Sequence, residues 1–265
     1  MTDDLLAPGV LDRDVGAIVA EYRARGFCHV PAVASGGLLA KLRERAHDIM
    51  HGRVAYPGLF FQLDTTTGAY EDLDFGAGWR GPSDNYRKIE KLENDPLFLT
   101  WINNAFFARI VRAVVGDAVS MYRAILMTKA ARGGTVLPWH QDAGKFWGLD
   151  RDPPIQIWTA LDDAPEDAGC VEVLEGSHLG GLATPLGGLV PKAIARDANA
   201  EARAIRIPAR AGDALVLHNL VWHRSGVNHT DQTRRAFSVC YMSADTKCVR
   251  KKRAPRTFVR VFERA

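Results

Sequence analysis

Apolar residues recur at helical spacing over residues 12–25, where Val15, Ile18, Val19 and Tyr22 share one face. Gly26 follows, at the position where a helix end favours glycine. The run FCHVP at 27–31 reads as a short strand, and Ser35 then opens a second helix through Leu38, Leu39, Leu42 and Ile49. A third helical pattern spans 95–115, with Phe98, Trp101, Ile102, Phe106, Ile110 and Val114 on its buried side, and stops at Gly116. Between the second and third helices, over 54–85, the pattern dissolves into glycine, aspartate and aromatics such as Tyr56, Phe60, Phe61, Tyr70, Phe75 and Trp79. Such a stretch is too long and too apolar for an ordinary connector, which predicts a lid or pocket wall.

From residue 119 the pattern changes. VSMYRAILMTKA (119–130), IQIWTALDD (155–163), GCVEVLEGS (169–177), AIRIPA (204–209), GDALVLH (212–218) and RRAFSVCYMSA (234–244) are short β-prone runs bounded by glycine, proline and aspartate. Many short strands broken by loops argue for a sandwich or barrel rather than a parallel sheet. The chain thus divides into a mainly helical part over 1–118, with its lid at 54–85, and a β core over 119–245, together one domain over 1–265.

Composition narrows the class. Hydrophobic residues make up 47% and charged residues 25%, which excludes a disordered or fibrous chain. No apolar run approaches the roughly 20 residues of a membrane span, so no membrane partner is expected. The opening MTDDLLAPG is acidic where a signal peptide is basic and then apolar, so a cytoplasmic location is expected. Cys28, Cys170, Cys240 and Cys248 lie far apart with no CxxC, which suits reduced thiols. A net charge of +3 is too balanced for the broad footprint of a nucleic-acid binder, leaving a small-molecule substrate as the expected partner. Nothing in the sequence indicates an oligomeric state.

The sharpest local feature is His140-Gln141-Asp142. In an extended strand residues i and i+2 point to one face, so the imidazole and the carboxylate converge while Gln141 turns away. A third ligand must come from elsewhere, and LVLHNLVWHRSGVN offers His223, with His218 as its rival. Two histidines and one carboxylate on one face of an octahedron leave three adjacent positions open, the arrangement of non-haem Fe(II) oxygenases. Catalytic zinc in a hydrolase takes similar ligands. A keto acid chelating iron carries a second carboxylate, which Arg234 can meet with its planar charged fork and Ser225 with a hydroxyl; a hydrolase has no use for that pair.

Read together, RKIEKL (87–92), LMTKA (126–130), PWHQD (138–142), IWTALDD (157–163), GCVEVLEGSH (169–178), GDALVLH (212–218), WHRSGVN (222–228) and RRAFSVCYMSAD (234–245) resemble the phytanoyl-CoA dioxygenase family. The resemblance implies a mainly β fold with flanking α-helices, built on a double-stranded β-helix (a cupin-like jelly roll). It also implies Fe(II), 2-oxoglutarate as cosubstrate and O2. His140, Asp142 and His223 look like the iron ligands, His218 then being a spacer at a strand end. Arg234 looks like the clamp for the distal carboxylate of 2-oxoglutarate, helped by Ser225, with Trp158, Lys88 and Ile125 lining the same pocket. Gln141 is expected to support the ligands, Asn228 to brace the turn after the last one, His178 to anchor a loop, and Gly169, Gly176 and Gly212 to sit in turns. Related halogenases replace the carboxylate with a small residue; Asp142 is present here, which favours hydroxylation. The implied reaction is oxidative decarboxylation of 2-oxoglutarate to succinate and CO2, coupled to oxidation of the substrate.

The substrate is not written in the matching segments. Candidate contacts are Phe146 and Trp147 in the loop after the HxD motif and Phe61 and Trp79 in the lid, which suit an apolar compound. Asp64, Asp72 and Asp74 suit the amines of a polar one. The basic run over 247–253 is most simply a solvated face, although it also suits the phosphates of CoA. The expected activity is oxidation, foremost hydroxylation, of a small metabolite or biosynthetic intermediate. The alternatives are an acyl-CoA 2-hydroxylase and a non-catalytic β-helix that only binds.

Overall fold

In the computed structural model, which describes residues 5–75, 78–251 and 256–262, consecutive core strands alternate between two antiparallel sheets. The larger sheet carries, in spatial order, β1 (Phe27–Val30), β10 (Ala214–His218), β6 (Ile155–Ala160), β12 (Arg234–Ser243), β4 (Val119–Lys129), β3 (Tyr86–Glu90) and β2 (Phe60–Leu63), with β13 (Val259–Val261) also paired to β4. The smaller sheet runs β8 (Gly188–Leu189), β5 (Leu137–Gln141), β11 (Trp222–Ser225), β7 (Val171–Leu174) and β9 (Ile205–Ile207). Strands β5, β7 and β11 lie in one sheet, and β6, β10 and β12 in the other. This back-and-forth winding is the double-stranded β-helix expected from the sequence.

Apolar side chains fill the space between the sheets, and Trp158, Val171 and Leu217 among them also line the cavity described below. Trp158, Ala160, Leu215 and Leu217 come from the larger sheet, and Val171, Val173 and Ile207 from the smaller. The outer face of the larger sheet is covered by α1 (Val15–Arg25), α2 (Gly36–Met50), α3 (Pro96–Ile102) and α4 (Ala105–Val115), which contribute Tyr22, Leu42, Trp101 and Phe106 to one apolar layer. Trp101 is fully buried, and its indole N–H donates to Thr159 Oγ1 at 3.2 Å. Truncating an aromatic so packed costs on the order of 3–5 kcal/mol. Asp14, Ser35 and Asp95 cap α1, α2 and α3 through side-chain oxygens that accept main-chain N–H groups. Two short helices, α5 (Lys192–Asp197) and α6 (Ala200–Arg203), occupy the 179–203 stretch.

Two sequence expectations need correction. The single helix over 95–115 is two, because Asn104 accepts from the Phe107 N–H and donates to the Trp101 carbonyl, starting a new helix bent by 52° from the first. The 54–85 lid contains a strand, β2, that pairs with β3 at the sheet edge. Within 1–118, β2 and β3 join the expected β1 in the larger sheet. All four cysteines are free thiols. Among the described residues no single helix is long and apolar enough to cross a membrane.

Candidate active site

Strands β5 and β11 are neighbours in the smaller sheet, and their register sets His140 directly opposite His223. The two rings lie 4.0 Å apart, centroid to centroid. Each imidazole is oriented by its own strand: His140 Nδ1 lies 2.9 Å from the Pro138 carbonyl and His223 Nδ1 3.0 Å from the Val221 carbonyl. A carbonyl only accepts, so the proton is assigned to Nδ1 in both rings and Nε2 is left as a bare lone pair. Asp142 follows β5 immediately and brings Oδ2 to 3.5 Å from His223 Nε2. One ligand atom from each of His140, Asp142 and His223 lies within 4.8 Å of the others, so a single ion fits among them.

The carboxylate is held as firmly as the imidazoles. Arg123, on β4 of the opposite sheet, donates to Asp142 Oδ1 at 2.6 Å, and Gln156 Nε2 donates to Oδ2 at 2.8 Å. Ser238 Oγ donates in turn to Gln156 Oε1 at 3.1 Å, fixing which way that amide faces. Burial pushes the Asp142 carboxyl up, but the Arg123 guanidinium outweighs it and holds the group well below the usual carboxylate range. Burial pushes His140 down to about 3. At neutral pH the set is therefore one carboxylate and an uncharged His140, the protonation a metal requires. Two imidazoles and one oxygen with open positions suit Fe(II).

His218 is not part of this set. It closes β10, lies 5.5 Å from the Tyr22 ring and 5.0 Å from His178, and its Nδ1 accepts the Leu220 N–H at 3.0 Å. His178 is tied to the Arg23 carbonyl at 3.0 Å and anchors its loop. Gln141 turns away as its strand position requires: its amide donates to the carbonyls of Gly181 and Leu220 at 2.8 and 2.7 Å and accepts from the Ala183 N–H. A second group, His47, His51 and Asp84, also brings three ligand atoms together, but none of these residues lines the cavity into which the first set opens.

That cavity, of about 1000 Å³, runs between the sheets and is lined by both imidazoles, Asp142, Ile125, Trp158, Ser225 and Arg234. Arg234 is 3% exposed, with one Nη donating to the Gly169 carbonyl at 2.9 Å and its Nε left without a partner. Its guanidinium sits 5.9 Å from the Trp158 ring. Burial pushes Arg234 down to about 10, which still leaves it charged at neutral pH. A buried cation with an unused donor and no ion-pair partner among the described residues fits an incoming carboxylate. Gly169 is in place for the same reason: with φ of 69° it lies so close to the strand turn that a Cβ would meet the Gly226 carbonyl at 2.6 Å. Asn228 braces that turn, donating to the carbonyls of Lys129, Ala130 and Gln232.

The remaining candidates divide. Lys88 lines the cavity but is ion-paired to Glu90 at 2.8 Å. Phe146 and Trp147 line it as expected, the first half-exposed and the second buried. Phe61 and Trp79 do not: Phe61 is packed in the apolar layer under the helices, and Trp79 lies over Gly52 with its indole N–H on the Met50 carbonyl. The lid residues that do reach the cavity are Tyr70 and Phe75. Asp64, Asp72 and Asp74 do not line it either; Asp64 accepts from the Thr135 N–H and Asp74 pairs with Arg80. Arg123, Gln156 and Ser238 were not foreseen. Their signal in the sequence was a polar residue inside an apolar strand run, as in SMYRAIL and IQIW.

Comparison with known proteins agrees with this geometry. A protein of Caenorhabditis elegans described as a probable phytanoyl-CoA dioxygenase is 25% identical over 262 residues, covering 92% of this chain and 82% of its own. The peroxisomal phytanoyl-CoA dioxygenase of Mus musculus is 24% identical over 238 residues, covering 86% and 68%. Among solved structures, the non-haem α-ketoglutarate-dependent carbocyclase SnoK from nogalamycin biosynthesis superposes with a TM-score of 0.72 at 20% identity, over 96% of this chain and 98% of that one. EctD from S. alaskensis with 2-oxoglutarate and 5-hydroxyectoine gives 0.71 at 18% identity, over 93% and 84%. The sequence model of the family Phytanoyl-CoA dioxygenase (PhyH) matches residues 22–236, and the chain belongs to that family.

Proposed function

We propose that this protein is an Fe(II)- and 2-oxoglutarate-dependent dioxygenase that hydroxylates a small-molecule metabolite or biosynthetic intermediate. The observation that carries the reading is a pairing of two sites in one cavity: a His140, Asp142 and His223 set with free ligand atoms, and a buried, unpaired Arg234. When bound, iron and 2-oxoglutarate supply an oxidant made from O2, with succinate and CO2 as co-products. The chain's own residues do the rest. His140 and His223 present Nε2, and Asp142 presents an oxygen while Arg123 and Gln156 hold its orientation. Arg234 and Ser225 take the distal carboxylate of the cosubstrate, a charge-assisted contact with a buried guanidinium, and Trp158 and Ile125 supply its apolar walls. Presence of the Asp142 carboxylate favours hydroxylation over halide chemistry.

The test is anaerobic. Fe(II) and 2-oxoglutarate added together to metal-free protein are expected to produce a weak visible charge-transfer band that neither gives alone. His140→Ala is expected to abolish it, and Arg234→Ala to abolish it with metal binding retained. A folded, metal-loaded wild type with no band overturns the reading and leaves a binding protein. Succinate release then screens substrates, with phytanoyl-CoA as the first compound because the curated relatives carry that name.

A further inference from the structure

The basic run near the C-terminus is the largest sequence feature that the metal and cosubstrate sites leave unused. Lys252 and Arg253 lie outside the described residues, but Lys247, Arg250 and Lys251 do not. The run is pinned beside the cavity rather than standing off in solvent. Cys248 bridges Leu149, the Val249 N–H donates to the Gly148 carbonyl at 2.8 Å, and the Lys247 N–H donates to Asp150 at 2.9 Å. Arg250 thereby enters the cavity wall, which Arg256 also lines. Arg250 donates to the Phe146 carbonyl at 2.9 Å and lies flat over Gly148, which has φ of 69° and where any Cβ would collide with the arginine stem. Arg256 donates to the Tyr122 carbonyl and sits 4.6 Å from the Tyr122 ring. Tyr122 stacks on Trp147 at 4.4 Å, and Arg123, the partner of Asp142, lies 4.6 Å from that indole. The two C-terminal arginines are thus joined through one aromatic stack to the metal set.

The charge of the cavity wall is lopsided, with eight Lys and Arg side chains against the carboxylates of Glu90 and Asp142. Arg123 is taken by Asp142, Lys88 by Glu90, and Arg224 by Glu172 and Glu201. Arg234 awaits the cosubstrate, with Lys129 beside it in the strand register and bonded to the Thr135 carbonyl. Arg87 donates to the Gln62 side chain. Arg250 and Arg256 have only neutral carbonyls as hydrogen-bond partners among the described residues, so most of their donors are unspent. Among the described residues neither is in an ion pair; Glu90 of the wall feels the charge of Arg256 but is itself bonded to Lys88. A positive, apolar-walled recess concentrates anions.

We propose that Arg250 and Arg256 form an oxyanion subsite, so that the substrate is a small organic acid. Its carboxylate or phosphate sits on the two guanidinium forks, and its apolar or aromatic body lies against Phe75, Phe146 and the Tyr122–Trp147 stack. This rests on the oxygenase reading, since the subsite orients a carbon toward the metal. A cavity of about 1000 Å³ shared with 2-oxoglutarate sets the size of that acid at a small molecule.

The test uses protein with Fe(II) and saturating 2-oxoglutarate under anaerobic conditions, titrated by calorimetry with phenylacetate, phenyl phosphate and the neutral isostere phenylacetamide. At least one anion is expected to bind tenfold or more tightly than the amide; which of the two does so tells carboxylate from phosphate. The double variant Arg250→Gln/Arg256→Gln is expected to lose that preference while the charge-transfer band of the iron complex is unchanged. The single variant Arg250→Gln is expected to lose part of it. Equal binding of all three probes, or a preference that survives the double substitution in folded protein, overturns the subsite. A missing band with the anion preference intact instead removes the oxygenase reading and keeps the subsite.

Discussion

Arg123 and Asp142 come from opposite sheets and meet at 2.6 Å, so the carboxylate of the proposed metal set is fixed by an ion pair that spans the interior of the fold. Arg123 touches no ligand position itself; it positions the residue that does. Partners of this kind typically account for 10–100-fold in metal affinity.

Arg123→Met is accordingly expected to weaken Fe(II) binding by about that factor, and Arg123→Lys by less. Anaerobic competition with a chelator of known affinity reads it. An unchanged affinity in folded Arg123→Met would mean that the arginine only packs against Trp147.

Arg234 places an uncompensated charge in the interior as long as the cosubstrate is absent. Arg234→Met is therefore expected to melt at or above the wild-type temperature without 2-oxoglutarate. With both proteins already loaded with Mn(II), adding 2-oxoglutarate is expected to stabilise the wild type further and to leave the variant unmoved. Arg234→Lys keeps the charge but loses the fork, and the KM for 2-oxoglutarate is expected to rise tenfold or more. A thermal shift in Arg234→Met equal to wild type would remove the arginine from the cosubstrate site.

Asn228 is fully buried and serves three main-chain carbonyls while accepting the Thr230 N–H at 3.0 Å. Asn228→Ala leaves these groups unpaired, at a cost of about 2–4 kcal/mol. Because one of the carbonyls belongs to Lys129, which pairs with Arg234 in the strand register, cosubstrate affinity is expected to fall together with stability. Urea denaturation and a 2-oxoglutarate titration on the same preparation measure both.

His218 is pushed down to about 4 by burial and by His178 beside it. In the unfolded chain it titrates near 6.5. Between those values the unfolded state binds the extra proton, so stability falls as pH drops from about 6.5 to about 4. His218→Asn keeps an acceptor for the Leu220 N–H and removes the titration. The variant is expected to lose less stability over that window, by on the order of 2 kcal/mol after allowing for partial exposure. Parallel wild-type and variant melting curves at pH 7 and pH 4.5 decide it; identical losses refute the assignment.

The metal set was legible because its information is local. HxD places two groups on one strand face by period alone, and the resemblance to a known family resolved His223 from His218. The strands after residue 119 were legible for a similar reason, since each is an apolar run closed by turn residues. What escaped was whatever depends on which strands become neighbours. Arg123 looked like a polar interruption of β4 until the opposite sheet brought Asp142 to it, and Gln156 is the same case in β6. Phe61 and Phe75 are both lid aromatics, and only the pairing of β2 with β3 sends the first into the core and leaves the second at the cavity. The break at Asn104 was written in the sequence as a cap residue, but the continuing apolar period concealed it.

The cross-strand pair of His140 and His223 makes the metal centre a witness to how the smaller sheet closes. If β11 paired with β5 one residue out of step, His223 would point to the far face of the sheet, and the ion would lose a ligand. A molecule that has closed wrongly is thus one that cannot load. Iron bound at this proposed centre would select the correctly threaded chain, and metal supplied during refolding is expected to raise the yield of native molecules as well as their activity.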